Sequence, residues 1–150
     1  MSLWRPSVTV AAVIERGGRF LLVEEIADGR RVLNQPAGHL DQGESLVQAV
    51  TREVLEETAH CIRPTGLVGI YRWYYPPEDV TFLRFCFSVE ILETDKNRNL
   101  DKEIVALHWL TAGELGEKSA MHRSPLVQQC VDDYLSGRRF PLDILSKSYG

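Results

Sequence analysis

The sequence has little cysteine and no long apolar run. Its 150 residues include only three cysteines, and neither their odd number nor their wide spacing fits a disulfide framework or a zinc site. No apolar stretch approaches the roughly 20 residues of a membrane-spanning helix, and the N-terminus lacks the charged and apolar segments of a secretion signal. These absences predict a cytoplasmic protein with reduced thiols and no membrane partner.

An excess of positive charge is also missing. The formal net charge is −4, with 44% hydrophobic and 25% charged residues. A protein of this charge has no general attraction for nucleic acid, so we expect no nucleic-acid partner. The length and composition are typical of one globular domain with a sizeable core. We therefore assign residues 1–150 to a single domain, as a monomer or a homodimer.

The signatures of several catalytic classes are absent as well. The chain contains no Walker phosphate loop, no dinucleotide fingerprint and no nucleophile elbow. Its histidines share no metal-ligand spacing. A serine or cysteine nucleophile therefore has no support in the sequence.

Apolar runs rich in β-branched and aromatic residues predict the strands. The stretch "VTVAAVIERGGRFLLVEE" predicts a β-hairpin, because Gly17-Gly18 tolerates positive φ in a tight turn. A second, longer hairpin is predicted for "GLVGIYRWYY" and "VTFLRFCFSVEIL", which flank Pro76-Pro77-Glu78-Asp79. The polar loop "ETDKNRNLDKE" then precedes a further strand, "IVALHWL".

Three helices are predicted between these strands. Ser45 with Gln48 and Thr111 with Glu114 form capping-box patterns, and start and stop signals bracket a third helix within residues 124–137. Hairpins interspersed with helices predict an α/β fold, with a mixed β-sheet flanked by helices.

The first helix carries acids on the side that faces the core. If Leu46 defines zero on a helical wheel, Val50 and Val54 lie at roughly 40° and 80° and mark the core-facing stripe. Glu57 falls at about 20°, inside that stripe. The other two acids follow at about 340° and 280°. The three acids on this side are Glu53, Glu56 and Glu57.

Partly buried carboxylates at this spacing need a cation or must hold protons. At an effective dielectric near 20, unit charges about 4 Å apart repel by roughly 4 kcal/mol, which is large against a domain stability of about 5–15 kcal/mol. Arg52 supplies one positive charge, but Glu44 also needs a partner. The simplest remaining counter-charge is a hard divalent metal, magnesium or else manganese. A surface salt-bridge cluster is the alternative.

The loop before this helix completes a recognisable pattern. The segment "GHLDQGESLVQAVTREVLEETAH", residues 38–60, resembles the Nudix box: Gly, five residues, Glu, seven residues, then Arg-Glu-apolar-x-Glu-Glu-x-Gly-apolar. The matching positions are Gly38, Glu44, Arg52, Glu53, Val54, Glu56 and Glu57. Ala59 and His60 replace the final glycine and apolar residue, and Ala59 would cost about 1 kcal/mol if the chain turns left-handed there.

Similarity to the phosphatase NudJ subgroup of this family extends through "VTVAAVI", "FLLVEE", "NQPAGHL", "FLRF" and "RSPLV". The resemblance implies an α/β/α sandwich and magnesium-dependent hydrolysis of small diphosphate compounds. For that subgroup it suggests nucleoside di- and triphosphates, thiamine diphosphate and its hydroxymethylpyrimidine diphosphate precursor, with release of orthophosphate.

We expect Glu53 and Glu57 to be the main metal ligands, with the backbone of Gly38 close to the site. Glu56 is either a third ligand or the base that activates water.

By family resemblance, Arg52 pairs with Glu44 and orients the acids of the helix. The resemblance also implies a further acid from a distant loop. Glu103 is the first candidate and Asp101 the second.

The residues expected to contact substrate each have a structural alternative. Arg84 either binds phosphate or forms a surface contact, and Trp73 either stacks on a substrate ring or packs beside the hairpin turn. Arg123 and Ser124 precede a helix whose free N–H groups favour phosphate, although Ser124 also suits an ordinary helix cap.

Two other functions remain open. One keeps the chemistry but changes the substrate, to a nucleotide sugar or a dinucleoside polyphosphate. The other is a non-catalytic nucleotide-binding domain, which the loss of a box acid would favour, but all of the box acids are present.

Overall fold

The fold is that of a computed structural model, which describes residues 2–147. The described part contains eight strands and three helices. The strands are β1 (Ser7–Val13), β2 (Glu15–Arg16), β3 (Arg19–Ala27), β4 (Arg30–Asn34), β5 (Ala37–His39), β6 (His60–Tyr75), β7 (Val80–Thr94) and β8 (Ile104–Thr111). The helices are α1 (Leu46–Thr58), α2 (Ala112–Glu117) and α3 (Leu126–Leu135).

The strands form two four-stranded sheets. The first has the order β5-β1-β7-β6, with β1 parallel to β7 and the other pairs antiparallel. In the second, β3 pairs antiparallel with β2, β4 and β8. None of the helices among residues 2–147 has the length and apolar character of a membrane span. The predicted α/β fold with a mixed sheet flanked by helices is confirmed.

Strand β1 shows how the helices flank the first sheet. Its side chains alternate between two apolar clusters: Val10 and Ala12 pack in the cluster of α1, whereas Ala11 and Val13 pack in the cluster of α3. Because successive side chains of a strand point to opposite faces, α1 and α3 cover opposite faces of this sheet.

The predicted first hairpin is wrong in its strand partner. Gly17 and Gly18 do form a tight turn with φ of 59° and 76°, but it joins β3 only to the two-residue β2. Strand β1 instead lies between β5 and β7 in the other sheet, and the chain crosses between sheets at Ile14. Strand β1 is buried on both faces, so its sequence pattern does not specify which sheet it joins.

The second hairpin and the later strand are confirmed. Strands β6 and β7 pair from His60–Thr94 to Tyr75–Val80, and a short 3₁₀ turn at Pro76–Glu78 joins them. The "IVALHWL" segment is β8, which pairs with β3.

Helix α1 begins and ends as its sequence predicts. The side chain of Ser45 accepts the N–H of Gln48, and the Gln48 side chain accepts the N–H of Ser45, so the capping box is present. The helix ends at Thr58, and the next residue, Ala59, has a left-handed φ of 62°. The expected left-handed turn is thus present, and an alanine in this conformation is strained by roughly 1 kcal/mol relative to glycine.

The remaining helices also follow their signals. Thr111 and Glu114 form the capping box of α2. At the start of α3, the hydroxyl of Ser124 accepts the N–H of Leu126 at 3.1 Å. This is the helix-capping contact that was one of the two roles expected for Ser124. Among the described residues the cysteines are free, with Cys86 and Cys130 buried.

Candidate active site

A cavity of about 380 Å³ lies between helix α1 and strands of both sheets. One wall carries the acids Glu53 and Glu57 of α1, and two guanidinium groups, from Arg84 and Arg123, also line the cavity. The aromatic rings of Trp73 and Phe82 form a further part of the lining. The cavity therefore combines negative, positive and aromatic surfaces within one space.

Three carboxylates converge beside the acidic wall, and two of them, Glu53 and Glu57, line the cavity. Ligand oxygens of Glu53, Glu57 and Asp101 all lie within 4.8 Å of one another. Asp101 belongs to the loop before β8, and its N–H donates to the carbonyl oxygen of Glu56 at 3.0 Å, which attaches this loop to α1. Carboxylate oxygens at this separation are the donor set that a hard divalent cation prefers.

Glu57 is the most buried member of this trio. Only 8% of its surface is exposed, and one of its oxygens accepts the N–H of Ala37 at 2.9 Å. Burial raises the pKa of Glu57 to about 9, and the negative charges of Glu25 and Glu53 add to the increase. Without a metal, this carboxyl therefore holds a proton at neutral pH.

Glu53 lies against the backbone of Gly38. A Cβ atom at position 38 would lie 2.1 Å from Cδ of Glu53, so only glycine leaves room for this carboxylate. Burial raises the pKa of Glu53, although the hydrogen bond from Arg52 opposes that increase. The trio thus contains more negative charge than its single neighbouring arginine neutralises.

The guanidinium of Arg52 binds three acids of the box. Its Nε donates to Glu44 at 2.7 Å, and Nη1 donates to Glu53 at 2.8 Å and to Glu56 at 2.9 Å. Its Nη2 also donates to the backbone oxygen of His39 at 3.0 Å. Arg52 therefore pairs with Glu44 as expected, and at the same time it fixes Glu53.

The two acids that the loop before β8 offers as ligands differ in position. Asp101 belongs to the carboxylate trio, whereas Glu103 lines the cavity as an exposed side chain outside the trio. Glu56 also lies outside the trio, and its Oε1 is held by Arg52. Burial raises the pKa of Asp101, and the charges of Glu56 and Glu103 add to that effect.

Arg84 is buried, with 6% of its surface exposed, so it is not a surface residue. Its Nη1 donates to Gln35 at 2.9 Å and its Nη2 to Asn34 at 3.0 Å. Nη1 also contacts Sγ of Cys130 at 3.9 Å. Gln35 and Asn34 are neutral amides, and no carboxylate among residues 2–147 forms an ion pair with Arg84. A buried guanidinium that faces a cavity without a carboxylate partner favours an anionic ligand.

The other expected substrate residues all line the cavity. Arg123 donates from Nη1 to Oε1 of Glu25 at 2.6 Å. Ser124 is buried beside it. Trp73 stacks on Phe82, with 5.6 Å between ring centroids and 20° between planes. Trp73 therefore both packs against Phe82 and lines the cavity.

Sequence reasoning assigned no role to Glu25, Asn34 or Gln35. Asn34 connects two parts of the wall, because its amide oxygen accepts from Arg84 and its amide nitrogen donates to Glu25 at 3.5 Å. One signal was available: the pair Glu24-Glu25 directly follows the apolar run of residues 20–23 within β3, where buried acids are rare.

The chain is similar to known proteins of one family. A family model described as the NUDIX domain matches residues 3–130. Phosphatase NudJ of Escherichia coli (strain K12) is 38% identical over 143 residues, which cover 95% of this chain and 92% of that protein. A solved NUDIX hydrolase from Nitrosomonas europaea is 52% identical with a TM-score of 0.93, over 96% of this chain and 98% of that one.

A more distant structure shares the fold alone. The Escherichia coli dihydroneopterin triphosphate pyrophosphohydrolase is 18% identical with a TM-score of 0.68, over 91% of this chain and 99% of that one. The family match spans most of the chain, and Gly38, Glu53 and Glu57 of the box line the cavity. The chain belongs to the Nudix family of hydrolases, which act on phosphoric anhydride bonds.

Proposed function

We propose that this protein is a magnesium-dependent hydrolase of small diphosphate compounds, with manganese as a substitute ion. The observation that carries the proposal is the convergence of Glu53, Glu57 and Asp101 within 4.8 Å, with Glu53 and Glu57 lining a cavity that also contains two arginines. A diphosphate is anionic and resists attack by water, so its hydrolysis needs positive charge to neutralise the phosphates and a positioned nucleophile.

The metal ligands in this proposal are the three carboxylates of the trio. We choose Asp101, the second candidate from the sequence, over Glu103, the first, because an oxygen of Asp101 lies with those of Glu53 and Glu57. A bound divalent cation would neutralise phosphate charge and lower the pKa of a bound water. Glu103, exposed at the cavity rim, stays outside this ligand set.

Other box residues shape the trio. Arg52 holds Glu53 in place and shares its charge with Glu44 and Glu56. Gly38 leaves the space that the Glu53 carboxylate occupies. These residues therefore position the ligands, and Glu56 contributes to this acidic cluster around Arg52.

The arginines bind the phosphate chain. Arg84 presents a buried guanidinium already oriented by Asn34 and Gln35. Arg123 is half exposed and paired with Glu25, so it is able to exchange partners when an anion enters. We place the organic group of the substrate against Trp73, where a flat ring extends the stack with Phe82.

For the substrate we propose nucleoside di- and triphosphates and thiamine diphosphate or its hydroxymethylpyrimidine diphosphate precursor. Support comes from the extent of the similarity to phosphatase NudJ, 38% identity over 95% of this chain. We also propose a cytoplasmic location, because its cysteines are free and free thiols persist in reducing compartments.

The test is a substrate panel in water labelled with heavy oxygen. Nucleotides, nucleotide sugars, dinucleoside polyphosphates and thiamine diphosphate are each incubated with metal-stripped protein, with and without magnesium. We expect magnesium-dependent cleavage of the small diphosphates, with the label showing which phosphorus is attacked. Cleavage confined to nucleotide sugars or dinucleoside polyphosphates would contradict the proposed substrate class. Tight binding of a nucleotide without any turnover would contradict the enzymatic proposal itself.

A further inference from the structure

The cavity contains one buried acid that the metal trio does not use. The acids that line the cavity are Glu25, Asp41, Glu53, Glu57 and Glu103. Asp41 is largely exposed and lies 3.3 Å from Arg52, and Glu103 is also exposed. Glu25 is different, because only 7% of its surface is exposed.

One oxygen of Glu25 is held and the other is free. Oε1 accepts from Arg123 at 2.6 Å and from Asn34 at 3.5 Å. Oε2 has no hydrogen-bond partner among residues 2–147, yet every fully buried side-chain nitrogen or oxygen in that part of the chain has one. Oε2 is therefore reached by solvent. Because the Glu25 side chain lines the cavity, solvent reaches Oε2 through the cavity.

Glu25 lies close to the metal trio without belonging to it. Among neighbouring acids, Glu25 makes the largest contribution to the raised pKa of Glu57. Its oxygens are nevertheless outside the trio, and its side chain lines the same cavity as Glu53 and Glu57. Glu56, in contrast, is bound by Arg52 and does not line the cavity.

We propose that Glu25 is the general base of the hydrolysis, an inference that rests on the proposed function. Its free Oε2 accepts one proton from the attacking water while the water oxygen forms its bond to phosphorus. The bond from phosphorus to the bridging oxygen breaks, and its electron pair leaves with the departing phosphate. In the substrate-free protein Arg123 and Asn34 hold the other oxygen, Oε1, which leaves Oε2 available at the cavity.

The neighbouring residue provides a matched control. Glu24 is buried to the same degree on the same strand, but its oxygens accept from Arg31 and His108 at 2.8 Å each, and it does not line the cavity. We expect Glu25→Gln to lower kcat at saturating magnesium by about 100-fold or more, the usual loss for a general base. Glu24→Gln should keep wild-type kcat.

Two further variants separate a base from a residue that only holds Arg123. Arg123→Gln should raise KM and reduce kcat far less than Glu25→Gln does. In Glu25→Ala, whose fold is checked by circular dichroism, added formate should restore part of the lost kcat.

The proposal is overturned if Glu25→Gln keeps kcat within a few-fold of wild type, if Arg123→Gln reproduces its full loss of kcat, or if formate fails to rescue folded Glu25→Ala. These outcomes leave the proposed function intact. A wild-type protein that cleaves no diphosphate with magnesium would contradict the proposed function instead.

Discussion

The carboxylate of Glu53 occupies the space that any side chain at position 38 would need. A Cβ atom at Gly38 would lie 2.3 Å from both Glu53 oxygens, well inside van der Waals contact. The end of a glutamate side chain is able to move away. A side chain at position 38 should therefore displace the Glu53 carboxylate and change the stability of the fold only slightly.

We therefore expect Gly38→Ala to lower magnesium affinity by about tenfold or more, a loss comparable to disturbing the support of a metal ligand. The melting temperature should change little. The measurements are calorimetric magnesium titration and thermal unfolding. Gly116→Ala is the control, because a Cβ atom there meets nothing closer than 4.0 Å. Wild-type magnesium affinity in Gly38→Ala would contradict this role of the glycine.

The raised pKa of Glu57 predicts that this residue destabilises the metal-free protein. Between the ordinary glutamate pKa of 4.5, which applies to the unfolded chain, and the folded pKa of about 9, the native state holds a proton that the unfolded chain has lost. Stability therefore falls as pH rises through this window. Glu57→Gln removes the titration, so metal-free Glu57→Gln should be more stable than wild type by about 3 kcal/mol near pH 7.

Urea unfolding of both proteins in the presence of a chelator measures this difference. The gain should vanish near pH 4.5, where the unfolded state also begins to hold the proton. Equal stabilities of the two proteins at neutral and mildly alkaline pH would show that burial does not raise the pKa of the Glu57 carboxyl.

Arg84 should contribute to substrate affinity through the geometry of its guanidinium. A lysine keeps the charge but not the planar fork that Asn34 and Gln35 orient. We expect Arg84→Lys to raise KM by about 10- to 100-fold, the loss of one charge-assisted contact. Steady-state kinetics provide the measurement. Arg63→Lys is the control, because Arg63 pairs with Glu90 on the surface. Unchanged KM in Arg84→Lys would contradict the phosphate contact.

Arg52 should stabilise the folded protein at neutral pH more than at acid pH. The hydrogen bond from Arg52 is the largest cause of the lowered pKa of Glu44. A group with a lowered folded pKa contributes stability above its unfolded value, and that contribution is lost as pH falls through the folded pKa. Arg52→Gln should thus cost about 2 kcal/mol near neutral pH, and less in acid. Denaturant unfolding under both conditions tests this, and a cost that grows as the pH falls would contradict it.

The sequence predicted the helices and the acidic cluster well because these depend on local patterns. The capping box at Ser45 and the place of Glu57 within the apolar stripe follow from residues only a few positions apart. The partner of β1 could not be predicted, because Thr9 pairs with Arg84, which lies far later in the chain. The same limit applies to Glu25 and to the order of Asp101 and Glu103, because the positions of these acids depend on how the sheets and loops pack.

A calorimetric magnesium titration of wild type and Glu57→Gln, in buffers of different ionisation enthalpy, tests most directly whether the buried glutamates hold a divalent ion. Wild type should bind magnesium and release a proton near neutral pH, since Glu57 gives up its proton to become a ligand. Glu57→Gln should show no comparable binding. Equal magnesium binding by the two proteins, or none by wild type, would contradict the claim that these glutamates form the metal site.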